Sequence, residues 1–179
     1  MRLVFAALFT ALSLMGTALF AQSTGDFPTA QELEDEANGV VARYEGWQIR
    51  CAPDGVNCRM FQVAQDADGN NVVSVTMQTL PEGSSAQLGV VMVSPLLTLL
   101  PRGLSVSVDE GVPAAYPFSW CDPQGCYSRF GLTQTQVEAF KQGKAANIDI
   151  FAVTNPDQAV RAALPLAGFG DAVADLAAR

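Results

Sequence analysis

The chain has 179 residues and a formal net charge of −8, from 10 lysines and arginines against 18 aspartates and glutamates. An acidic chain repels phosphate backbones, which excludes nucleic acid as an expected partner and disfavours a basic helix on an anionic membrane. Histidine is absent, and with it the usual general base and the commonest metal ligand near neutral pH.

The chain begins with the pattern of an export signal. Arg2 precedes an uncharged apolar run that ends at Phe20, and the small residue Ala21 follows. This pattern predicts a signal peptide over residues 1–21, cleaved after Ala21. An uncleaved membrane anchor is the alternative, because the run approaches the length that spans a bilayer. No later stretch is long and apolar enough to do so, and we expect no membrane span after cleavage.

Residues 22–45 are rich in acidic side chains and are punctuated by Pro28 and Gly39. Their charge density predicts a flexible, solvated lead-in. A short helix over residues 31–37 is the alternative, because leucine and glutamate favour a helix there.

From Trp47 onward, apolar and polar residues alternate in short runs, which predicts strands with one buried face. The runs are 47–51, 61–63, 73–77, 104–108, 116–120 and 148–150. Turn-forming residues separate them at 68–70, 81–83, 101–103, 109–111 and 123–125. The pattern predicts one mainly all-β domain over residues 46–179, an antiparallel β-sandwich or barrel-like fold with one or two short helices.

Two helical patterns interrupt the strands. Thr135 and Glu138 are spaced as a capping box, and Gly143 stands where that helix is expected to end. Asp171 is the expected N-cap of a second helix near the C-terminus. The residues expected on the buried faces are Val137 and Phe140 in the first helix, and Phe169, Val173 and Leu176 in the second.

Four cysteines in two close pairs follow the export signal, which predicts an oxidising compartment and a domain stabilised by disulfides. Four cysteines allow three connectivities. We favour Cys51–Cys58 and Cys121–Cys126, because Gly55 and Gly125 lie inside these loops, where a tight reversal needs glycine.

Metal or redox chemistry at the cysteines is disfavoured. Neither pair has the C-x-x-C spacing of a thioredoxin-like site. Six residues separate Cys51 from Cys58, and no histidine is present to complete a zinc shell. Trp47 and Trp120, which lie near the two pairs, are predicted to be core residues that pack over the sulfurs.

One stretch partly matches a calcium-binding loop. Asp66, Asp68 and Asn70 supply oxygen ligands at loop positions 1, 3 and 5. The pattern then fails, because Asn71 replaces the glycine of the sharp turn and Met77 replaces the bidentate glutamate. A polar hairpin turn is the alternative to this weak calcium candidate.

The chain lacks the common catalytic motifs, including G-x-S-x-G, S-x-x-K and the Walker loop. A hydrolase that uses paired carboxylates has no local signature, so Asp109, Glu110 and Asp122 are candidates only in that general sense. The alternative is that they are turn residues. We therefore predict no catalytic residues and no cofactor.

The order of several segments resembles that of the invasion-associated locus B family of exported bacterial proteins. The matching segments are Gly46–Cys51, Cys58–Gln62, Pro95–Asp109, Cys121 with Gly125-Cys126, and Leu166–Phe169. The resemblance covers about residues 45–177, and Leu96 departs from it where a glycine usually follows the proline. It implies a β-rich protein of the periplasm or outer cell surface, with no catalytic residues to transfer; some members are associated with host-cell entry.

These observations together predict an exported, non-enzymatic binding or structural module of the periplasm or cell envelope. Its expected partner is another envelope protein or a surface component. A surface adhesin that promotes host-cell entry is the alternative, and an envelope hydrolase is the third hypothesis. The expected contact surface is a sheet face or an exposed edge strand. The best candidate is Pro95–Val108, interpreted as two consecutive apolar strands, with buried core as its alternative.

Overall fold

A computed structural model describes residues 30–179 of the chain. The predicted signal peptide and the first part of the predicted lead-in lie outside the described residues. The helices of the described part are α1 (Ala30–Ala37), α2 (Gln134–Gln142) and α3 (Phe169–Ala178). In chain order, its strands are β1 (Val40–Tyr44), β2 (Trp47–Arg50), β3 (Arg59–Gln65), β4 (Asn71–Thr79), β5 (Leu88–Ser94), β6 (Leu104–Val108), β7 (Ala114–Tyr116), β8 (Phe118–Asp122), β9 (Gly125–Leu132), β10 (Ala145–Ala152) and β11 (Asn155–Pro165).

The strands form one antiparallel sheet whose order in space differs from the order in the chain. The order is β7–β6–β10–β11–β3–β4–β5–β9–β8, and β1 joins the sheet through β2, which pairs with β3. β2 pairs with the first residues of β3, whereas β11 pairs with its last residue, Gln65. The predicted mainly all-β, barrel-like fold is confirmed; residues 46–179 contain two α-helices, within the expected one or two, and α1 precedes them.

A single extended segment brings the two ends of this strand order together into a nearly closed barrel. Its first half, β7, pairs with β6, and its second half, β8, pairs with β9. Pro117 lies between the halves, and its carbonyl oxygen accepts a 2.8 Å hydrogen bond from Ser128 Oγ of β9. The Tyr116 ring stacks on Phe130 of β9, with 3.6 Å between the ring centroids. Such closure protects strand edges that an open sheet would expose.

The core lies on the inner face of the sheet, where alternate strand residues are buried because successive side chains point to opposite faces. Removal of these apolar side chains from water is the main force that favours the fold. The largest fully buried side chains on the strands are Trp47, Ile49, Met60, Met77, Leu88, Met92, Leu104, Leu132, Ile148, Leu164 and Val73.

α2 and α3 add aromatic rings to this core. α3 packs across β1, β2, β3 and β4 and also contacts α2. The Phe169 ring lies 5.4 Å from the Trp47 ring of β2 in an edge-to-face arrangement, and 5.4 Å from the Phe140 ring of α2. Phe169 therefore connects the sheet to both helices through contacts of the kind that aromatic pairs favour.

The folded domain begins before the expected boundary at residue 46. β1 lies within the predicted lead-in, yet it pairs with β2 and places Tyr44 opposite Trp47. α1 forms at the position of the alternative helix, and its Asp35 carboxylate accepts hydrogen bonds from the Arg43 guanidinium of β1. The structure corrects the lead-in prediction for these residues, because Ala42 and Tyr44 pack against the core.

The N-cap of α2 differs from the predicted one. Thr133 is the N-cap, and its side chain and that of Gln136 form the capping box that was assigned to Thr135 and Glu138. The two pairs have the same spacing, so the sequence pattern alone did not distinguish them. The helix ends before Gly143 as predicted, and Val137 and Phe140 are buried as predicted.

The N-cap of α3 also differs from the predicted one. Gly168 precedes the helix with a left-handed φ of 78°, whereas Asp171 lies in the first turn. A Cβ on residue 168 would lie 2.5 Å from the Tyr44 carbonyl oxygen, so both the backbone angle and the close approach require glycine. Phe169, Val173 and Leu176 are buried as predicted.

Replacement of Phe169 tests the aromatic connection. Phe169→Ala removes a fully buried ring, and we expect it to lower the free energy of unfolding by about 3–5 kcal/mol. Phe169→Leu keeps most of the volume and serves as the matched control, with an expected loss below about 1.5 kcal/mol. Urea unfolding followed by tryptophan fluorescence measures both. Equal, small losses for the two variants would contradict this role of Phe169.

Candidate interaction surface

The segment singled out by its apolar sequence, Pro95–Val108, divides into an exposed loop and a buried strand. β6 lies between β7 and β10 and buries Leu104 and Val106. Residues 95–103 instead form a loop with a short 3-10 turn at Leu100–Arg102. The prediction of two consecutive strands is therefore wrong for the first half.

Residues 95–100, the leucine loop, expose apolar side chains to solvent. The exposed fractions are 52% for Leu96, 69% for Leu97 and 42% for Leu100. Val153, which follows β10, is 47% exposed. Thr98 is buried between the exposed leucines, and its hydroxyl donates a 2.7 Å hydrogen bond to the Pro95 carbonyl within the loop. An exposed apolar cluster of this kind is typical of an interaction site.

Backbone hydrogen bonds fasten the leucine loop to the end of β10. The Leu99 N–H donates to the Phe151 carbonyl at 2.6 Å, and the Val153 N–H donates to the Leu97 carbonyl at 2.9 Å. Thr98 forms an isolated antiparallel bridge with Ala152. The loop therefore extends the sheet on the N-terminal side of β6, and the exposed leucines are held on a fixed backbone.

Leu97 has a φ of 68°, in the left-handed region that favours glycine. Steric contact with the Cβ makes this conformation cost roughly 1–2 kcal/mol for a residue other than glycine. Leu97 is also the most exposed of the three leucines, so little burial offsets this cost. Strain of this kind is concentrated at functional sites, which makes Leu97 the strongest functional candidate in the loop.

The weak calcium candidate lies in the turn between β3 and β4. One oxygen of the Asp66 carboxylate accepts hydrogen bonds from the backbone N–H groups of Asp68 and Asn70, at 3.0 and 2.9 Å. The Asn70 side-chain amide also donates to Asp66. These bonds, with the Asn70 side-chain bond the largest cause, lower the pKa of Asp66. Residues 30–179 contain no group of three or more His, Cys, Asp or Glu that could hold a metal ion.

Two of the three candidate carboxylates bind backbone amides in the described part. Asp109 accepts hydrogen bonds from the Lys144 and Ala145 N–H groups, each with a shortest distance of 3.0 Å. Asp122 accepts from the Gln124 N–H at 2.8 Å, within the turn between β8 and β9. Glu110 is exposed. These contacts correspond to the turn-residue alternative.

The structure has the sequential disulfide pairing, and all four cysteines are bonded. Cys51–Cys58 joins the end of β2 to the residue before β3. Cys121–Cys126 joins opposite positions of the β8–β9 hairpin, so it fixes the strand that brings the barrel ends together. Disulfides are typical of proteins that fold in oxidising compartments.

The two tryptophans have different environments. Trp47 is fully buried, as predicted, and packs on Phe169. Trp120 is 43% exposed and stacks on Tyr127, with 4.8 Å between the ring centroids. The prediction that Trp120 is a core residue is therefore wrong. The β8–β9 pairing shifts register between Phe118 and Trp120, which breaks the alternation on which that prediction depended.

Sequence patterns also missed three arginines that the strands place on one outer face of the sheet. Arg50 lies on β2, Arg59 on β3 and Arg129 on β9. Arg50 lies directly opposite Arg59, because those two positions pair across the strands. The absence of acidic residues from these strands is the one sequence signal that would have indicated such a surface.

Among the helices of residues 30–179, none combines the length and the apolar character needed to cross a membrane.

Comparison with known families gives a match over most of the chain. The sequence profile described as "Invasion associated locus B (IalB) protein" matches residues 47–177. These limits run from Trp47 of β2 into α3. The matched region therefore includes both rings of the Trp47–Phe169 contact.

Similar proteins carry related names. Two relatives, from Brucella abortus strain 2308 and Brucella abortus biovar 1 strain 9-941, are described as Invasion protein B homologs. Each is 30% identical over 168 residues, which cover 92% of this chain and 88% of the relative. The crystal structure of invasion associated protein B from Bartonella henselae is similar in fold, with a TM-score of 0.65 at 22% identity. That similarity covers 76% of this chain and 95% of the other.

Glycine at position 97 tests the strain in the leucine loop. Leu97→Gly relieves the left-handed conformation, and glycine's greater freedom in the unfolded chain offsets only part of the gain. We expect the free energy of unfolding to rise by about 0.5–1 kcal/mol. Leu96→Gly is the matched control, because Leu96 is exposed without a positive φ, and it should lose about 0.5–1 kcal/mol. Equal losses in urea unfolding would contradict the strain.

The Asp66 turn predicts a pH-dependent contribution to stability. The pKa of Asp66 is lowered in the folded chain, so its contribution is present above the usual value of about 4 and is lost as the pH falls through the lowered folded value. Asp66→Asn should therefore be less stable than the wild type at neutral pH, with a difference that shrinks in acid. Asp68→Asn, with the same charge change in the same turn, is the control. Urea midpoints across the acidic range measure both, and a pH-independent difference would contradict the prediction.

Proposed function

The chain belongs to the invasion-associated locus B (IalB) family, and on this premise we propose that it is an exported, non-enzymatic binding module of the bacterial cell envelope. It engages another envelope protein through the leucine loop. Two disulfides and the export pattern of residues 1–21 support the compartment. Asp109 and Asp122 support the non-enzymatic role, because their carboxylates hold backbone turns.

One observation carries the proposal: leucines are exposed on a backbone that hydrogen bonds hold in place. Leu96, Leu97 and Leu100 lose little conformational freedom of the main chain when a partner covers them, because the loop is already bonded to β10. Preorganisation of this kind lowers the entropic cost of binding. Burial of the leucines in an apolar pocket then stabilises the complex by the hydrophobic effect.

The neighbouring edge of β11 supports a polypeptide as the partner. Asn155 and residues 159–162 of this strand pair with β10, and within residues 30–179 no strand pairs with the other edge of residues 155–162. The leucine loop lies on the opposite side of β10, so the two features are separated by about 10 Å, two strand spacings. An extended segment adds to such an edge through main-chain hydrogen bonds, while the leucines supply apolar anchors.

Site-specific cross-linking in living cells tests this proposal. A photo-reactive amino acid at Leu97 should give one discrete adduct with an envelope protein. The same group at Val112, which is 94% exposed and lies outside the loop, should not give that adduct. The captured protein, once purified, should bind Leu96→Ser/Leu97→Ser/Leu100→Ser about tenfold or more weakly than the wild type. Val112→Ser is the matched binding control and should leave the affinity unchanged.

Other outcomes would replace the proposal. Identical adducts from Leu97 and Val112 would show that the loop has no selective partner. Adducts with lipid alone would assign the leucines to a membrane surface. An adduct with a host protein, formed when intact bacteria meet host cells, would favour the adhesin alternative; the names of the relatives refer to invasion by those proteins.

A further inference from the structure

Five neighbouring strands of the barrel contain no acidic residue in a chain that has 18 of them. The strands are β2, β3, β4, β5 and β9, which lie side by side in that order. Their outward surface, which we call the arginine face, carries Arg50, Arg59 and Arg129. The charge of this face is therefore opposite in sign to that of the chain as a whole.

The arginines of this face form no ion pair in the described part of the chain, although the charge of Asp35 acts on Arg50 from α1. In residues 30–179, the basic residues in ion pairs are Arg43, Lys141, Arg161 and Arg179, and no carboxylate pairs with Arg50, Arg59 or Arg129. Arg50 and Arg59 are directly opposite each other across β2 and β3. Like charges in this relation repel and destabilise a sheet. The repulsion between Arg50 and Arg59 therefore lowers the stability of the fold, and an anion bound between them would reduce this repulsion.

Arg50 is held in a fixed position. Its guanidinium lies 3.7 Å from the centroid of the Phe61 ring and donates two hydrogen bonds, of 2.9 and 2.7 Å, to the Gln48 side-chain oxygen. Burial lowers the pKa of Arg50, and the positive charge of Arg43 lowers it further. The group thus carries a positive charge that the surrounding residues compensate only in part. A planar guanidinium with free donors matches a carboxylate in two parallel hydrogen bonds.

Three shallow hollows cross the arginine face. One of about 300 Å³ is lined by Arg50, Arg59 and Thr76, and a second of about 610 Å³ shares Arg59 and reaches Gln78. A third, of about 420 Å³, shares Thr76 and Gln78 and extends to Arg129. The hollows share lining residues and therefore lie side by side; together we call them the depression, and arginines line both of its ends. The ends are about 15 Å apart, since three strand spacings separate β3 from β9.

An acidic segment of the chain already binds beside this face. Arg43 of β1 lies opposite Gln48 and continues the cross-strand row outward from β2. It pairs with Asp35 of α1, and hydrogen bonding by Arg43 is the largest cause of the lowered pKa of Asp35, to which the charge of Arg50 also contributes. Asp35 thus shows that a carboxylate of a polypeptide binds an arginine next to this face, within the influence of the Arg50 charge.

We propose that the arginine face is a docking surface for an acidic segment of a partner polypeptide. Carboxylates of the segment pair with Arg50 and Arg59 at one end of the depression and with Arg129 at the other. Charge complementarity selects the partner, because the rest of this acidic chain repels the same segment. The surface is separate from the leucine loop, so either assignment stands without the other.

Binding of a defined peptide to the purified protein tests the proposal. The probe is a glutamate–serine repeat peptide long enough to span about 15 Å, with the glutamine–serine repeat as its neutral counterpart. We expect the acidic peptide alone to bind, with an affinity that falls as salt is added. Arg50→Gln/Arg59→Gln/Arg129→Gln should weaken binding by about tenfold or more.

Lys141→Gln/Lys144→Gln/Arg161→Gln is the matched control, because it changes the net charge equally at residues outside this face. It should change the affinity by less than about twofold. If loss of Arg50 disturbs folding, Arg59→Gln/Arg129→Gln changes only exposed side chains and should still weaken binding. Lysine at all three positions keeps the charge but loses the paired donors, and it should bind with intermediate affinity.

Three results would overturn the proposal. The first is equal binding of the acidic and neutral peptides by the wild type. The second is equal loss of affinity in the control triple variant, which would indicate only a general charge effect. The third is arginine-dependent binding to phosphatidylglycerol vesicles with no binding to the peptide, which would assign the face to a lipid surface.

Discussion

The structure depends on one constraint, the simultaneous pairing of residues 114–122 with β6 and β9. This segment brings the two ends of the strand order together, so the inner face becomes a closed apolar interior. The Tyr116–Phe130 stack fixes its first half, and the Cys121–Cys126 disulfide fixes its second half. Closure explains why alternate strand residues are almost completely buried. It also leaves the outer face and the loops as the surfaces available for binding.

The rigid barrel presents two surfaces of different chemistry. The leucine loop is apolar and is bonded to the end of β10, whereas the arginine face is basic and spans β2 to β9. Acidic side chains are confined to turns, helices and other strands of the described part, including Asp66, Asp109 and Asp122 in or beside turns. The charge of this acidic chain is therefore distributed unevenly, because one face of the sheet carries no carboxylates. Both surfaces suit the recognition of another molecule.

The family match and the aromatic connection describe the same folded unit. The profile extends over residues 47–177, from the strand that carries Trp47 to the helix that carries Phe169. α1 and β1 precede the matched region, although β1 completes a hairpin with β2. The family profile thus covers the part of the chain that encloses the core.

Local residue patterns in the sequence determined much of the secondary structure of this protein. The period of two predicted most strands, because successive side chains point to opposite faces, and the spacing of Val137 and Phe140 predicted the buried side of α2. β1, which was assigned to the lead-in, was not predicted, and neither were β5, β9 and β11. β5 is apolar on both faces, the burial of β9 does not alternate regularly, and the first half of β11 is exposed on both faces. Only the tertiary structure decided the strand order, the outward turn of Trp120 and the meeting of Arg50 with Arg59. Those features depend on pairing between segments distant in sequence, about which neither segment carries a local signal.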